Sequence, residues 1–376
     1  MPQKNKTCLL IAQSGRALAV SARAGGLAAH VLDRFADLDT ASAALSCQIV
    51  SGDESGFHVG DLLEKLTQFL GTPLYGVIYG SGLEEHYDVL EFLHRHWTLL
   101  GNDAAVVKSC KDPALFFPTL TRLGIPHPHT SLTTPQEYSE HENWLIKRKG
   151  ASGGGHIHPW GADIQPGPHH YFQKKLTGRS LSVVFLADAW DAAIVGTNEM
   201  WTVAPEKHDF RYSGAVTQLD LPGSTALTLE EIVRVLVREL GLKGLCGMDV
   251  LIDEKGQCYV LEVNPRPTAT FELHQTRQSL CEAHVLACQG RLPTPSPGPP
   301  LLRAHQVWYA DRDFIVSDCT WPEWVSDRPR SGRTVRTGEP VCTVHAEANC
   351  INDVRKLLQD HSATIMELMG LQQLAA

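Results

Sequence analysis

The sequence predicts an α/β (α+β) protein with an N-terminal open parallel-sheet domain and a small β-rich C-terminal region, and three observations carry the α/β expectation. Residues 7–106 run in the order strand, glycine turn, helix, strand, the grammar of an open parallel sheet. A strand at Trp144–Lys149 leads straight into Gly150-Ala151-Ser152-Gly153-Gly154-Gly155. Gly247–Leu273 reads as two strands around a polar turn, with an acid on each strand. At 376 residues the chain can hold about two to four domains or subdomains.

The first unit opens with the apolar strand Cys8–Ala12. Ser14-Gly15 turns it into a helix through Leu18–Ala24, closed by Gly25-Gly26, and strands follow near His30–Leu32 and Tyr75–Tyr79. Ligands of such sheets bind at the strand C-termini. The first glycine turn lacks the spacing of a dinucleotide site. The second, Tyr79-Gly80-Ser81-Gly82-Leu83-Glu84, offers free N–H groups at a helix start and reads either as a substrate contact or as an ordinary turn.

Lys108-Ser109-Cys110-Lys111-Asp112-Pro113 then opens a helix through Leu123, with Pro113 in its first turn and Gly124 after its end. In the loop 150–155, glycines let the backbone approach phosphate, and Lys147 on the preceding strand supplies charge. No Gly-Lys-Ser/Thr closes the loop, so it is not a Walker motif. His156 and His158 would share a strand face as a metal clip, or else line a loop near an anionic substrate. Phe210–Ala215 is expected as a mobile loop over the site or a surface turn. The helix Leu229–Leu240, apolar at Ile232, Val235, Leu236 and Leu240, should end at Gly241 and pack on the hairpin. Pro293–Pro300 is a linker by composition. Short strands at 304–309, 314–317, 334–336 and 341–344 precede a final helix, Ile351–Met369.

The hairpin is the most informative stretch. Its strands are Met248–Ile252 and Cys258–Val263. An even-length turn centred on Lys255-Gly256 sets Asp249 opposite Glu262, Val250 opposite Leu261 and Leu251 opposite Val260, whereas an odd turn would separate the acids. Alternation then gives an apolar face of Met248, Val250, Ile252, Tyr259, Leu261 and Val263. The acids share the other face, with Cβ atoms about 5 Å apart. Carboxylates so placed repel, so a positive charge is expected between them. Asn264 lies on the same face, and the three residues offer the hard oxygens that Mg²⁺ takes. Flanking by Leu261 and Val263 points to a central strand; the alternative is the solvated face of an edge hairpin.

Asp-Val-Leu-Ile-Asp followed by Leu-Glu-Val-Asn-Pro-Arg resembles the metal-binding core of the ATP-grasp superfamily, in particular predicted ATP-dependent carboligases related to biotin carboxylase. The resemblance implies an ATP-grasp fold in four parts. These are an N-terminal parallel-sheet domain (1–106), a small subdomain with the glycine-rich loop (107–180), a large subdomain with the metal site (181–292) and a β-rich C-terminal region (301–376). It implies Asp249, Glu262 and Asn264 as ligands of Mg²⁺, with Mn²⁺ as an alternative ion. Arg266 would hold the carboxylate or acyl-phosphate side. Lys147 and Lys111, with Lys108 in reserve, would meet the ATP phosphates under a flap containing Gly153, Gly154 and Gly155. Tyr171–Leu176 resembles the adenine hinge, through Gln173 and the backbone of Lys175 and Leu176, with Ser180 beyond it. Relatives usually carry acids near the hinge and after the following glycine, where this chain has Gln173 and Ser180.

The implied activity is ATP-dependent ligation of a carboxylate to an amine through an acyl phosphate. A bicarbonate-dependent carboxylase stays open beside it, and the absence of a Met-Lys-Met biotin acceptor would then call for a separate carrier. A non-catalytic ATP-binding module is the third reading. Members of the most similar subgroup occur in organisms that use tetrahydromethanopterin, which implies a pterin or amino-acid ligase of one-carbon cofactor metabolism.

Composition sets limits. A net charge of −9 argues against bulk nucleic-acid binding, and no apolar run reaches bilayer length. The ten cysteines are scattered without a Cys-x-x-Cys, so neither a zinc site nor a disulfide framework is suggested. The expected setting is cytoplasmic. The expected partners are small carboxylate and amine molecules rather than nucleic acid or membrane, with a homodimer as one option for assembly.

Overall fold

The structure, a computed structural model, describes residues 6–370 apart from 54–55, 136–142, 162–164, 205–206, 208, 218–220, 295–297 and 299. Its N-terminal sheet is parallel, in the order Ser46–Ile49, Ala28–Asp33, Thr7–Ile11, Gly76–Tyr79. Thr7–Ile11 is central and buried from Cys8 onward, which is why it reads as a continuous apolar run rather than an alternating one. The helix Arg16–Ala24 follows it.

A small antiparallel sheet comes next, in the order Thr130–Ser131, His170–Lys174, Trp144–Arg148, Ile157–Pro159. The largest sheet has eight strands, in the order Cys258–Asn264, Lys243–Ile252, Arg179–Asp188, Ala192–Ala204, Asp209–Thr217, Leu302–Tyr309, Pro340–Ala348, Val325–Ser326. The strands of residues 301–376 continue this sheet, with Leu302–Tyr309 paired to Asp209–Thr217. Its main core joins Leu181, Val183, Phe185, Met248, Val250, Val260 and Val263 to the helix Gly223–Leu240, as the sequence led us to expect. That helix ends at Gly241 in the left-handed region, φ +68°.

Four expectations are corrected. The helix expected from Lys108 to Leu123 is two helices, Ala104–Lys111 and Pro113–Arg122. Asp112 caps the second through the Ala114 N–H at 3.0 Å, and Pro113 cannot continue the first. Phe210–Ala215 lies within the strand Asp209–Thr217, whose backbone is paired antiparallel on both sides, to Ala192–Ala204 and to Leu302–Tyr309. The strand carrying Glu262 is an edge strand, not a central one; the Val260 N–H bonds the Pro126 carbonyl at 2.9 Å, and Lys111 at the end of its helix reaches its acid face.

The fourth correction concerns register. Asp249 does oppose Glu262, but Val250 pairs with Val260 and Leu251 with Tyr259. The turn Asp253–Gln257 is odd in length, and a β-bulge at Leu261 takes up the extra residue. The buried face of the second strand is therefore Cys258, Val260 and Val263, while Tyr259 and Leu261 are only half-buried.

Candidate active site

The charge expected between the acids is Lys111. Its Nζ lies 2.6 Å from Asn264 Oδ1 and 3.2 Å from Glu262 Oε2, and the residue is buried. Asn264 Nδ2 donates to Glu262 Oε1 at 3.0 Å and to Asp249 Oδ2 at 3.2 Å. Lys108 is exposed on the same helix. The two carboxyls also hydrogen-bond each other. Burial and the Glu262 charge push Asp249 well above the usual carboxylate range. Burial would raise Glu262 as well, but the Lys111 charge and the bonds from Asp249 and Asn264 hold it low.

That donor set fits a hard divalent cation. Two carboxylates and an amide converge within hydrogen-bonding distance, and a cation between the acids would offset their repulsion. Asn264 Oδ1 faces Lys111 and Arg266 here, and the amide would turn over to offer that oxygen to a cation between the acids.

Arg266 follows on the same strand end. Its Nε donates to Glu84 Oε1 at 2.7 Å, Nη1 to the Pro267 carbonyl at 3.1 Å, and Nη2 to Asn264 Oδ1 at 3.4 Å. Arg266 and Glu84 are both buried. The other oxygen of Glu84 accepts from the Gly82 N–H at 2.6 Å, so that N–H, expected to be free, is taken. Glu84 stays ionised in spite of burial because Arg266 and Lys111 face it. Its role was missed in the sequence, where only a nearby glycine turn marked it.

Lys147 donates to Gln173 Oε1 at 2.6 Å, in a neighbouring buried pair. Burial lowers its pKa to about 8, against the pull of Glu262 and Asp249. His156 is lowered to about 4, again chiefly by burial, and its Nδ1 has no hydrogen-bond partner. Among the described residues, His156 and His158 do not belong to a potential metal cluster.

The glycine loop rests on the strand Asp209–Thr217. The Tyr212 N–H bonds the Gly153 carbonyl at 2.9 Å, and a Cβ on Gly154, φ +81°, would lie 2.0 Å from the Phe210 carbonyl oxygen. Lys175 and Leu176 lie just past the strand His170–Lys174. The Lys175 N–H is already bonded to the Asn143 carbonyl at 2.7 Å. Ser180 pairs with Leu251. Among the described residues, none of these three shares a hydrogen bond with the acid cluster.

A cleft of about 770 Å³ adjoins the cluster. Gly153, Gly155, Tyr212 and Arg266 line it together with residues of the N-terminal domain and of the last strands. The arrangement can hold phosphate-like charge near the lysines and a second molecule in the cleft.

Comparison with known proteins follows the same outline. Residues 110–270 match the ATP-grasp domain family. An uncharacterised protein of Methanocaldococcus jannaschii is 25% identical over 150 residues, 40% of this chain and 37% of that one. The chain thus spans little more than a third of that curated relative's length. Among solved structures, N5-carboxyaminoimidazole ribonucleotide synthetase from Thermotoga maritima superposes with a TM-score of 0.68 at 16% identity, covering 95% of this chain and 98% of its own. L-amino acid ligase from Bacillus licheniformis gives 0.70 at 13% identity, covering 95% and 97%. The biotin carboxylase domain of Hydrogenobacter thermophilus 2-oxoglutarate carboxylase, solved as a dimer with MgADP, ADP and bicarbonate, gives 0.73 at 13%, covering 97% and 90%. At these identities the likeness is one of fold.

Proposed function

We propose that the chain, whose residues 110–270 match the ATP-grasp domain family, is an ATP-dependent ligase that joins a carboxylate to an amine through an acyl phosphate. The observation that carries this reading is the cluster in which Lys111 meets Glu262 and Asn264, with Asp249 beside them and Arg266 leading into the cleft. Asp249, Glu262 and Asn264 would hold Mg²⁺, with Mn²⁺ as a substitute. Held there, such an ion would supply positive charge against the phosphoryl group being transferred. Lys147 and Lys111 hold phosphate oxygens, and Gly153, Gly154 and Gly155 cover them with backbone N–H groups. Gln173, Lys175, Leu176 and Ser180 form the nucleoside side, the Lys175 backbone contributing its carbonyl. Arg266, oriented by Glu84, holds the carboxylate as it attacks phosphorus and then steadies the acyl phosphate.

The four parts at 1–106, 107–180, 181–292 and 301–376 act as substrate wall, phosphate cover, metal platform and closing edge. The finer setting we assign is a cytoplasmic ligase of tetrahydromethanopterin-linked one-carbon cofactor metabolism, acting on small molecules. A homodimer is in keeping with the dimeric carboxylase domain. That neighbour's bicarbonate also motivates the second reading, a bicarbonate-dependent carboxylase. Among the described residues, no helix is long and apolar enough to cross a membrane.

The test measures ADP release with ATP and Mg²⁺ against a panel of acids and amines, with and without bicarbonate. Turnover should require an acid–amine pair and ignore bicarbonate. Labelled bicarbonate entering the product would overturn the ligase assignment in favour of the carboxylase.

A further inference from the structure

Tyr212, His305 and Glu272 all line the cleft and form a hydrogen-bonded chain that the steps above do not use. The Tyr212 hydroxyl lies 2.5 Å from His305 Nε2, and His305 Nδ1 lies 2.8 Å from Glu272 Oε1. His305 is 2% exposed. The second carboxylate oxygen of Glu272 accepts from the Arg16 guanidinium, whose Nε meets Asp327 at 3.0 Å. Burial opposes ionisation of Glu272, yet Arg16 and His305 hold it well below the usual carboxylate range.

These contacts fix the direction of every bond. An ionised carboxylate only accepts, so the His305 proton sits on Nδ1 and Nε2 presents its lone pair. The Tyr212 hydroxyl is therefore the donor to His305, and its oxygen keeps a lone pair for a molecule in the cleft.

Tyr212 is also placed beside the chemistry. Its N–H is bonded to the glycine-loop carbonyl of Gly153, and burial with the Glu272 charge keeps its phenol protonated. Glu272 lies on the 3-10 helix Ala269–His274, which starts three residues after Arg266. Strand packing holds the chain in position: a Cβ on Gly214 would come within 2.3 Å of the His305 carbonyl oxygen. Tyr309 donates to the Tyr212 carbonyl at 2.8 Å, and the His345 ring lies 6.0 Å from that of His305. Glu272, His305 and His345 have ligand atoms within 4.8 Å of one another, but the Arg16 guanidinium on Glu272 disfavours a cation there.

We propose that Tyr212 is a catalytic residue that takes the proton of the attacking amine, with His305 and Glu272 as positioning residues that relay it. This rests on the ligase reading. The amine nitrogen bonds to the acyl-phosphate carbonyl carbon, the carbon–oxygen bond to phosphate breaks, and inorganic phosphate leaves with that electron pair. The nitrogen-bound proton passes to the Tyr212 oxygen as the Tyr212 proton passes to His305 Nε2. The imidazolium so formed faces the Glu272 carboxylate and later releases its proton to solvent.

The test compares two nucleophiles, methylamine and hydroxylamine, at neutral pH with ATP and Mg²⁺. Protein amino acids and short mono- and dicarboxylic acids are supplied one at a time as the acid. Hydroxylamine is uncharged at neutral pH and has little need of a base; its hydroxamate is read with iron(III). In Tyr212→Phe and in His305→Gln the ratio of kcat for methylamine to kcat for hydroxylamine should fall about 100-fold. A purely structural role would lower both rates together, and an unchanged ratio in either folded variant overturns the relay. Failure of the wild type to make hydroxamate with any acid overturns instead the ligase reading on which the relay rests.

Discussion

Glu262 touches Lys111, Asn264 and Asp249 at once, so its charge organises every other group in the cluster. Glu262→Gln should cut ADP formation at least ~100-fold while leaving the melting temperature within a few degrees, since the change keeps shape and removes a charge that Asp249 opposes. A coupled ADP assay beside a thermal melt checks both halves; wild-type ADP release would sink the metal assignment. Lys147 makes a pH prediction. Its pKa is lowered to about 8 by burial, and phosphate needs it charged. Affinity for a non-hydrolysable ATP analogue with Mg²⁺ should therefore decline as pH rises through about 8. Stability has the opposite sign. The unfolded lysine keeps its proton up to its ordinary value of 10.5, so the folded state gains stability from this group as pH rises between about 8 and 10.5. Lys147→Met should flatten both trends and weaken nucleotide binding at least ~10-fold, which calorimetric titration at about pH 7 and about pH 9 would show.

Among the elements, the glycine loop makes the sharpest claim. Gly154 has φ +81°, with a carbonyl where a side chain would be. Gly154→Ala should lift the loop from Phe210–Tyr212, speeding amide exchange at Tyr212 and lowering turnover about 10-fold or more. Exchange in the wild type should slow across Gly150–Gly155 when the ATP analogue and Mg²⁺ bind; no change on saturation would count against a phosphate role. How much of this was legible depended on how local each signal is. The parallel strands, the glycine loop, the Gly241 cap and the acid pair were readable because each is written in a short window. Phe210–Ala215 reads as a loop or turn because its Arg-Tyr-Ser-Gly run lacks a clean apolar alternation, yet it is a strand paired on both sides, to Ala192–Ala204 and to Leu302–Tyr309. Lys111 was placed at a helix head, where a capping Asp112 instead divides two helices. The Glu84 partner of Arg266 was invisible because it is 182 residues away.

For the molecule as a whole, Asn102 joins the N-terminal domain to the strand Lys243–Ile252 and to the end of Cys258–Asn264. Its side chain bonds Lys243 through both N–H and carbonyl, at 2.8 and 2.9 Å, and the Pro265 carbonyl at 2.9 Å, just before Arg266. The Tyr79 hydroxyl holds the Asn102 carbonyl at 2.6 Å. Asn102→Ala should cost about 3 kcal/mol, because several buried backbone groups lose their partners. It should also raise the KM of the acid more than that of ATP, because it loosens Arg266 rather than the lysines. A denaturant melt and a two-substrate kinetic series would separate the two effects. Equal changes in both KM values would show that the junction serves stability alone.

The bulge at Leu261 has a consequence for how the chain tolerates changes in length. Because Asp249 already pairs with Glu262 and Val250 with Val260, removing Leu261 would leave both pairs in place and join them in an unbroken ladder, with Val263 still facing the core. A protein one residue shorter at this position should therefore fold and keep its acids opposed, losing only the local kink that aims them. Removing Val263 should be far worse, since Asn264 would swing into the apolar core. Comparing the two deletions by thermal melt and by Mg²⁺-dependent binding of the ATP analogue would show whether the hairpin keeps its spare residue for aim or for stability.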